Sequence, residues 1–310
     1  MKVVAFEEFG QAPRIAEVPV PTPDPGEVRV GEHAASVNGF DLAVANGYLN
    51  GGMEHRFPVV LGKDFAGVID EVGEGVAGFE VGDRVFGVVT KPFLGDGSFA
   101  EYVTVPVAVG LAKLPDSIEF TKAAALGLAG AAAVDAFDAA DVQTGSTVLV
   151  AGATGGVGQQ ALQLAVRAGA TVIATAASRD EIALVEGLGA AGTVDYTGDI
   201  VAQLTEAHPG GVDVVLHFAG DPASLVGAVK KGGILVSTLV QSPDQVPADG
   251  IRVLPIYANP SQATLDRLAE HEASGRTSVT VQRVYDLDET TDAFLHFSAG
   301  TLGKLVITLV

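Results

Sequence analysis

Along the first third of the chain, apolar residues come in short runs rich in valine and other strand formers. Residues 2–6, 14–18, 28–35, 66–72 and 84–89 are such runs, punctuated by Pro19, Pro21, Pro23, Pro25, Gly26, Gly73, Gly78 and Gly82. Proline at every second position from 19 to 25 cannot donate to a sheet ladder, so that segment reads as an edge or a stiff connector. Many short strands with few helices predict a small barrel-like fold. The texture changes near residue 118. Strands at 147–151, 171–175, 212–217 and 234–238 then alternate with helices at 158–168 and 179–188. That alternation predicts βαβ units and a parallel sheet covered on both faces. A helix at 262–274 follows Pro260, and strand texture returns at 279–284 and 305–309. The ending resembles the beginning, so the two chain ends are expected to form one domain with the α/β unit inserted.

Composition narrows the function. The chain has 310 residues, 48% of them apolar, which suits two folded domains rather than disorder. Lys and Arg number 18 against 38 Asp and Glu, a net charge of −20. Such a chain is repelled by phosphate backbones and anionic lipid, so neither nucleic acid nor a membrane surface is an expected partner. There is no cysteine, hence no disulfide, thiolate nucleophile, Cys-ligated zinc or iron–sulfur cluster. Residues 1–10 lack a basic segment followed by an apolar stretch, and a cytoplasmic location is expected. No apolar run approaches the roughly 18 residues that span a bilayer. The longest, 123–134, is rich in Ala and Gly and is bounded by Lys122 and Asp135.

The clearest chemical signal lies where the 147–151 strand runs into Gly152-Ala153-Thr154-Gly155-Gly156-Val157-Gly158, with a helix following at once. Glycine there permits a sharp turn and lets backbone N–H groups approach a pyrophosphate. The helix N-terminus adds the positive end of its dipole. The strict G-x-G-x-x-G begins here with Ala153 instead of glycine. The strand after the first helix ends in Ala176-Ala177-Ser178-Arg179, where NAD sites commonly place a carboxylate. A hydroxyl and a guanidinium suit a 2′-phosphate, so NADPH is favoured. Asp180 and Glu181 are expected in the first turn of the next helix. Arg179 also reads simply as a surface cation at a helix start.

Several segments in this order resemble the medium-chain dehydrogenase/reductase superfamily, and within it the zinc-free NADPH:quinone oxidoreductase (zeta-crystallin-like) branch. They are residues 37–41 (Val-Asn-Gly-Phe-Asp), 57–68, 72–73, 82–85 and 97–102, the glycine turn, and the closing Gly303-Lys304-Leu305-Val306. The resemblance spans nearly the whole chain. It implies an α/β protein with a GroES-like β-barrel catalytic domain from residues 1–117 and 260–310. A Rossmann doubly wound parallel-sheet domain from 118–259 would bind NADPH, and homodimers are common among such proteins. Zinc-dependent relatives carry a Cys early in the catalytic domain and a His in a Gly-His-Glu segment. Here that segment reads Gly62-Lys63-Asp64. The six histidines, His33, His55, His208, His217, His271 and His296, show no ligand spacing and read as packing or surface residues. None of the five tyrosines has Lys four residues on, which argues against a short-chain reductase.

Without metal or thiol, the chemistry that remains is hydride transfer to an acceptor that tolerates it, a quinone or an α,β-unsaturated carbonyl. The resemblance implies roles for particular residues. Asn38 would stand near the nicotinamide, its amide holding cofactor or substrate oxygen, and Asp41 would orient that loop. Tyr48 would be a proton donor near the substrate. Tyr196 would lie near the 2′-phosphoribose, with Ser178 and Arg179. Gly152, Thr154, Gly155, Gly156 and Val157 would hold the pyrophosphate, and Phe218, Ala219 and Leu239 would line the cofactor at the sheet edge. Relatives often have a Thr facing the nicotinamide where this chain has Ala132, and often a Pro where it has Gly39. Asn38 reads equally as a turn residue and Tyr48 as a packing aromatic. Two alternatives stay open: an enoyl-thioester reductase of a biosynthetic pathway, and a non-catalytic NADPH-binding protein.

Overall fold

The computed structural model describes residues 1–309. Contacts divide the chain into two units: unit 1 is Met1–Leu128, Pro260–Gly275 and Val279–Val310, and unit 2 is Ala129–Asn259 with Arg276–Ser278.

Unit 1 is a β fold. Its first ten strands are β1 (Lys2–Phe6), β2 (Arg14–Glu17), β3 (Glu27–Ser36), β4 (Glu54–His55), β5 (Val59–Val60), β6 (Asp64–Val72), β7 (Arg84–Val88), β8 (Phe93–Leu94), β9 (Tyr102–Pro106) and β10 (Leu111–Lys113). β3 alternates buried and half-exposed residues over most of its length, the signature of a strand with one face in a core. Val28 and Val30 enter that core beside Phe65, Ile69, Val85, Val103 and Leu111. The short helix α1 (Gly39–Ala45) follows β3.

Unit 2 begins within α2 (Phe120–Ala140) and continues through β11 (Thr147–Ala151), α3 (Gly156–Arg167), β12 (Thr171–Thr175), α4 (Arg179–Gly187), β13 (Gly192–Val194) and α5 (Ile200–Ala207). β14 (Val212–His217), β15 (Val229–Ser237) and β16 (Arg252–Pro255) complete its sheet. The order is β13-β12-β11-β14-β15-β16, with every pairing parallel. The connections reverse direction between β11 and β14, the switch point beside which open α/β sheets bind ligands. One apolar cluster joins Val148, Val150, Leu162, Val172 and Val236. A second joins Leu149, Ile173, Leu204, Val215 and Leu235, so alternate residues of β11 enter different cores.

The chain then returns to unit 1 through α6 (Gln262–Ala273), β17 (Val281–Asp286), α7 (Thr290–Ser298) and β18 (Lys304–Thr308). The larger sheet of unit 1 runs β10-β7-β6-β3-β18-β17, with β9 also paired to β3. β18 lies antiparallel to β3, Val306 opposite Ser36. This register brings the last strand of the chain to the start of α1.

Two elements differ from expectation. The 123–134 run belongs to a 21-residue helix, α2, long and apolar enough by length and composition to cross a membrane. Of that apolar window, 72% is buried inside the protein, so α2 is a core helix. Its alanines and glycines form no one-sided apolar stripe, which is why periodicity does not disclose it. β15 starts at Val229 rather than 234, because Lys230, Lys231 and Gly232 form an exposed stretch with little apolar texture before the buried Gly233.

Candidate functional site

The glycine turn joins β11 to α3. Gly152 has φ 81°, a conformation that side chains rarely adopt, and a Cβ there would stand 2.8 Å from Cβ of Ala219. A Cβ on Gly158 would stand 2.1 Å from the Gly152 carbonyl oxygen, so α3 could not pack at this distance. The Gly152 N–H donates to Thr175 Oγ1 at 2.9 Å, fixing the turn to the end of β12. Gly155 is the N-cap of α3 and has no side chain to accept from the first helical N–H groups. Those donors, on Gly156, Val157 and Gly158, have no acceptor within the helix. Gln159 Nε2 donates to the Thr154 carbonyl at 2.7 Å and holds the outer part of the turn. The result is a rigid backbone cradle with a positive pole, suited to an anion.

At the end of β12, Ser178 is the N-cap of α4, and its Oγ accepts from the Glu181 N–H at 3.2 Å. Glu181 folds back: Oε2 accepts from the N–H groups of Ala177 and Ser178 at 2.7 and 2.8 Å, and Oε1 accepts from the Tyr196 hydroxyl at 2.9 Å. Partial burial raises the Glu181 carboxyl. The hydrogen bonds from Ser178, Ala177 and Tyr196 outweigh it, and the group lies below the ordinary glutamate value. Tyr196 is correspondingly raised, chiefly by its bond to Glu181. Arg179 is exposed, and its guanidinium makes no hydrogen bond or ion pair among the described residues. Three of the anticipated residues, Ser178, Arg179 and Tyr196, thus lie here, and two of them bond an ionised carboxylate, Glu181, that was expected merely in the first helical turn.

At the carboxyl edge of β14 and β15, Phe218, Ala219 and Leu239 stand just beyond the strand ends, and Leu239 is 55% exposed. His217 is fully buried between their attachments. Its Nδ1 lies 2.8 Å from Ser237 Oγ and its Nε2 3.2 Å from the Gly220 carbonyl. Sequence reasoning passed over His217 as a packing residue, because nothing in a strand pattern tells which polar atoms a neighbouring strand presents. Ala132 is buried on α2 and brings no polar group.

In unit 1 the predicted residues sit in a buried polar network. Asn38 Nδ2 donates to Asp64 Oδ2 at 2.8 Å and to the Ser36 carbonyl at 3.3 Å. Asn38 Oδ1 accepts from Lys304 Nζ at 2.6 Å. Lys304 also donates to the Val37 carbonyl at 2.9 Å and pairs with Asp64 at 3.3 Å. Ser36 Oγ and the Leu128 N–H complete the shell of Asp64, at 2.7 and 2.6 Å. Both ends of the Asn38 amide are therefore already bonded within unit 1. Asp41 Oδ2 accepts from the Asn38 N–H at 2.8 Å. Burial pushes the Asp41 carboxyl up to about 7, the Asn38 N–H, Lys304 and Lys63 opposing this and Asp64 adding to it. Lys63 donates to the Val89 carbonyl at 2.6 Å, and burial lowers it despite the carboxylates of Asp41 and Asp64. Tyr48 stands apart from this network at 79% exposure. Lys304 was legible only as part of a closing motif.

Two family models match: the alcohol dehydrogenase GroES-like domain over residues 24–116 and the zinc-binding dehydrogenase over residues 156–251. The 2-methylene-furan-3-one reductase of Solanum lycopersicum is 30% identical over 319 residues, covering 99% of this chain and 79% of that protein. A mycocerosic acid synthase-like polyketide synthase of Mycolicibacterium smegmatis is 36% identical over 209 residues, which are 66% of this chain and 10% of that much longer protein. The quinone oxidoreductase of Coxiella burnetii has the same fold, with a TM-score of 0.89 at 27% identity, covering 100% of this chain and 99% of that one.

Proposed function

This chain belongs to the medium-chain dehydrogenase/reductase superfamily as a quinone oxidoreductase-like member, and on that premise we propose that it passes hydride from NADPH to a quinone or α,β-unsaturated carbonyl without zinc. The observation that carries the reading is the glycine cradle: a Cβ on Gly152 would strike Ala219 and one on Gly158 the Gly152 carbonyl, so glycine alone keeps the turn tight against the uncapped start of α3, where a pyrophosphate would lie. The residues fit a dinucleotide. The backbone from Ala153 to Gly158 would take the pyrophosphate, Arg179 with Tyr196 the 2′-phosphoribose, and Phe218, Ala219 and Leu239 the nicotinamide side, near Ala132. When bound, the nicotinamide supplies the hydride.

The chain's own residues orient and shield. Lys304 and Asp64 clamp the Asn38 loop from both ends of its amide, and Asp41 fixes the loop's backbone. A quinone or enone that accepts hydride becomes a delocalised oxyanion and needs one proton, which the exposed Tyr48 hydroxyl or water would donate. Strong acid catalysis is unnecessary because the anion is resonance-stabilised. At the segment where zinc-dependent relatives carry histidine, the Lys63 ammonium is bonded to the Val89 carbonyl, a cation in place of a metal ligand. A small-molecule substrate, a homodimer and a cytoplasmic location complete the reading, and the −20 charge argues against nucleic acid and anionic membranes.

One observation favours NADH as a second reading. The ionised Glu181, within reach of Tyr196, would repel a 2′-phosphate and accept from a ribose hydroxyl instead. Steady-state turnover decides: the purified protein, treated with a chelator, is given NADPH or NADH with a panel of quinones and enones. Faster turnover with NADPH, unaffected by chelation, is the expected outcome. A preference for NADH, or activity that requires added zinc, overturns the corresponding part.

A further inference from the structure

The hydrogen-bond chemistry around His217 fixes its protonation pattern. The Gly220 carbonyl can only accept, so Nε2, 3.2 Å away, carries the proton. A neutral ring then offers Nδ1 as an acceptor to the Ser237 hydroxyl at 2.8 Å. With its hydrogen directed to Nδ1, Ser237 Oγ has two lone pairs left. The N–H groups of Leu239 and Val240 take them, at 3.0 and 3.2 Å. Each group from the Gly220 carbonyl to the Leu239 and Val240 N–H thus has a partner, and both His217 and Ser237 are fully buried. The chain links the turn after β14, which carries Phe218 and Ala219, to the turn after β15, which carries Leu239.

We propose that His217 is a positioning residue: through Ser237 it holds the two turns at the carboxyl edge of the unit 2 sheet in one fixed arrangement, and only as the neutral Nε2–H ring. The assignment of those turns to the cofactor rests on the reading above; the link between them does not. A second proton would sit on Nδ1 and point at Ser237 Oγ, whose lone pairs are both taken. Either the Leu239 or the Val240 N–H must then be released, and a buried N–H without a partner is costly. Burial keeps the ring below its ordinary value, against bonds to the Gly220 and Ala219 backbone and the charge of Asp221. Asp221 is the charged group acting on the ring, while the flanking strands set Ala151 and Ser237 beside it. The turns are therefore expected to be fixed at neutral pH and to loosen as acid protonates His217.

The test reads Leu239 and Val240 directly, by amide hydrogen exchange of the free protein between about pH 5 and pH 8 with intrinsic rates divided out. Protection at these two amides is expected to fall about tenfold or more toward the acid end, a change of one order in the opening equilibrium. In His217→Gln the side-chain amide can donate to Gly220 and accept from Ser237 without titrating, so protection should persist and lose its pH dependence. Ser237→Ala should lose protection at both amides at every pH, and it leaves the histidine in place should the His217→Gln protein fail to fold. Protection of Leu239 and Val240 that is independent of pH in the wild type, or unchanged in Ser237→Ala, overturns the proposal. Cofactor titrations separate the two readings. If NADPH and NADH both fail to bind, the cofactor assignment falls while the exchange result still judges the link. If NADPH binds Ser237→Ala and wild type with equal affinity, the positioning role falls while the cofactor assignment stands.

Discussion

The two polar centres of this protein are built in opposite ways. Around Asn38 in unit 1, side chains satisfy one another: Lys304, Asp64, Ser36 and the amide itself close a buried network. At Gly152–Gly158 in unit 2 the polar groups are backbone N–H donors at a helix start, and glycine lets the turn pack tightly on Ala219 and on itself. The first centre has the residue types of a catalytic cluster, and its side chains are bonded to one another. The second has almost no chemistry in its side chains and is the centre that we propose takes the cofactor.

Breaking the closed network should give the largest effect. Lys304→Met removes the cation from Asp64 and Asn38 and leaves a fully buried carboxylate uncompensated, at a cost of about 3–5 kcal/mol in urea denaturation. A loss below about 1 kcal/mol would mean that the network does not hold unit 1 together. Asp41→Asn should follow, with a sign set by pH. The folded carboxyl titrates at about 7 against an ordinary 3.8, so its contribution is fullest below the unfolded value and is lost as pH rises through the folded one. The asparagine still accepts from the Asn38 N–H and does not titrate. At about pH 8 the variant should be more stable than wild type by about 4 kcal/mol, and the difference should shrink toward about pH 5. A difference that does not change with pH would contradict this.

At the open centre, Arg179→Ala should raise KM for NADPH about tenfold and leave KM for NADH within about twofold. Equal changes would remove Arg179 from the 2′-phosphate and strengthen the role of Glu181. Tyr48→Phe should have the smallest effect, lowering kcat by about threefold or less, because the side chain is largely in solvent and water can supply the same proton. A loss of about a hundredfold would make Tyr48 an obligatory donor.

What could be read from the sequence follows the range of each interaction. The glycine turn was legible because its cause is local: a positive φ at Gly152 and a close approach at Gly158 demand glycine whatever surrounds them. Strand–helix alternation likewise announced the parallel sheet. The bond from Lys304 to Asn38 joins residues 266 positions apart, and no pattern in either segment announces the other. α2 escaped because alanine and glycine give helix without periodicity. The fold-back of Glu181 onto Ala177, Ser178 and Tyr196 depends on a side-chain conformation, and composition discloses only that an acid follows a cap. His217 sits in an ordinary strand pattern, and its significance arises from Ser237 on the adjacent strand.

The open backbone of unit 2 is the proposed cofactor cradle. Hydrogen–deuterium exchange with and without saturating NADPH tests it most directly. Marked slowing across residues 152–159 is expected, accompanied by slowing at 177–181. Binding of NADPH with no change at 152–159 would contradict the account.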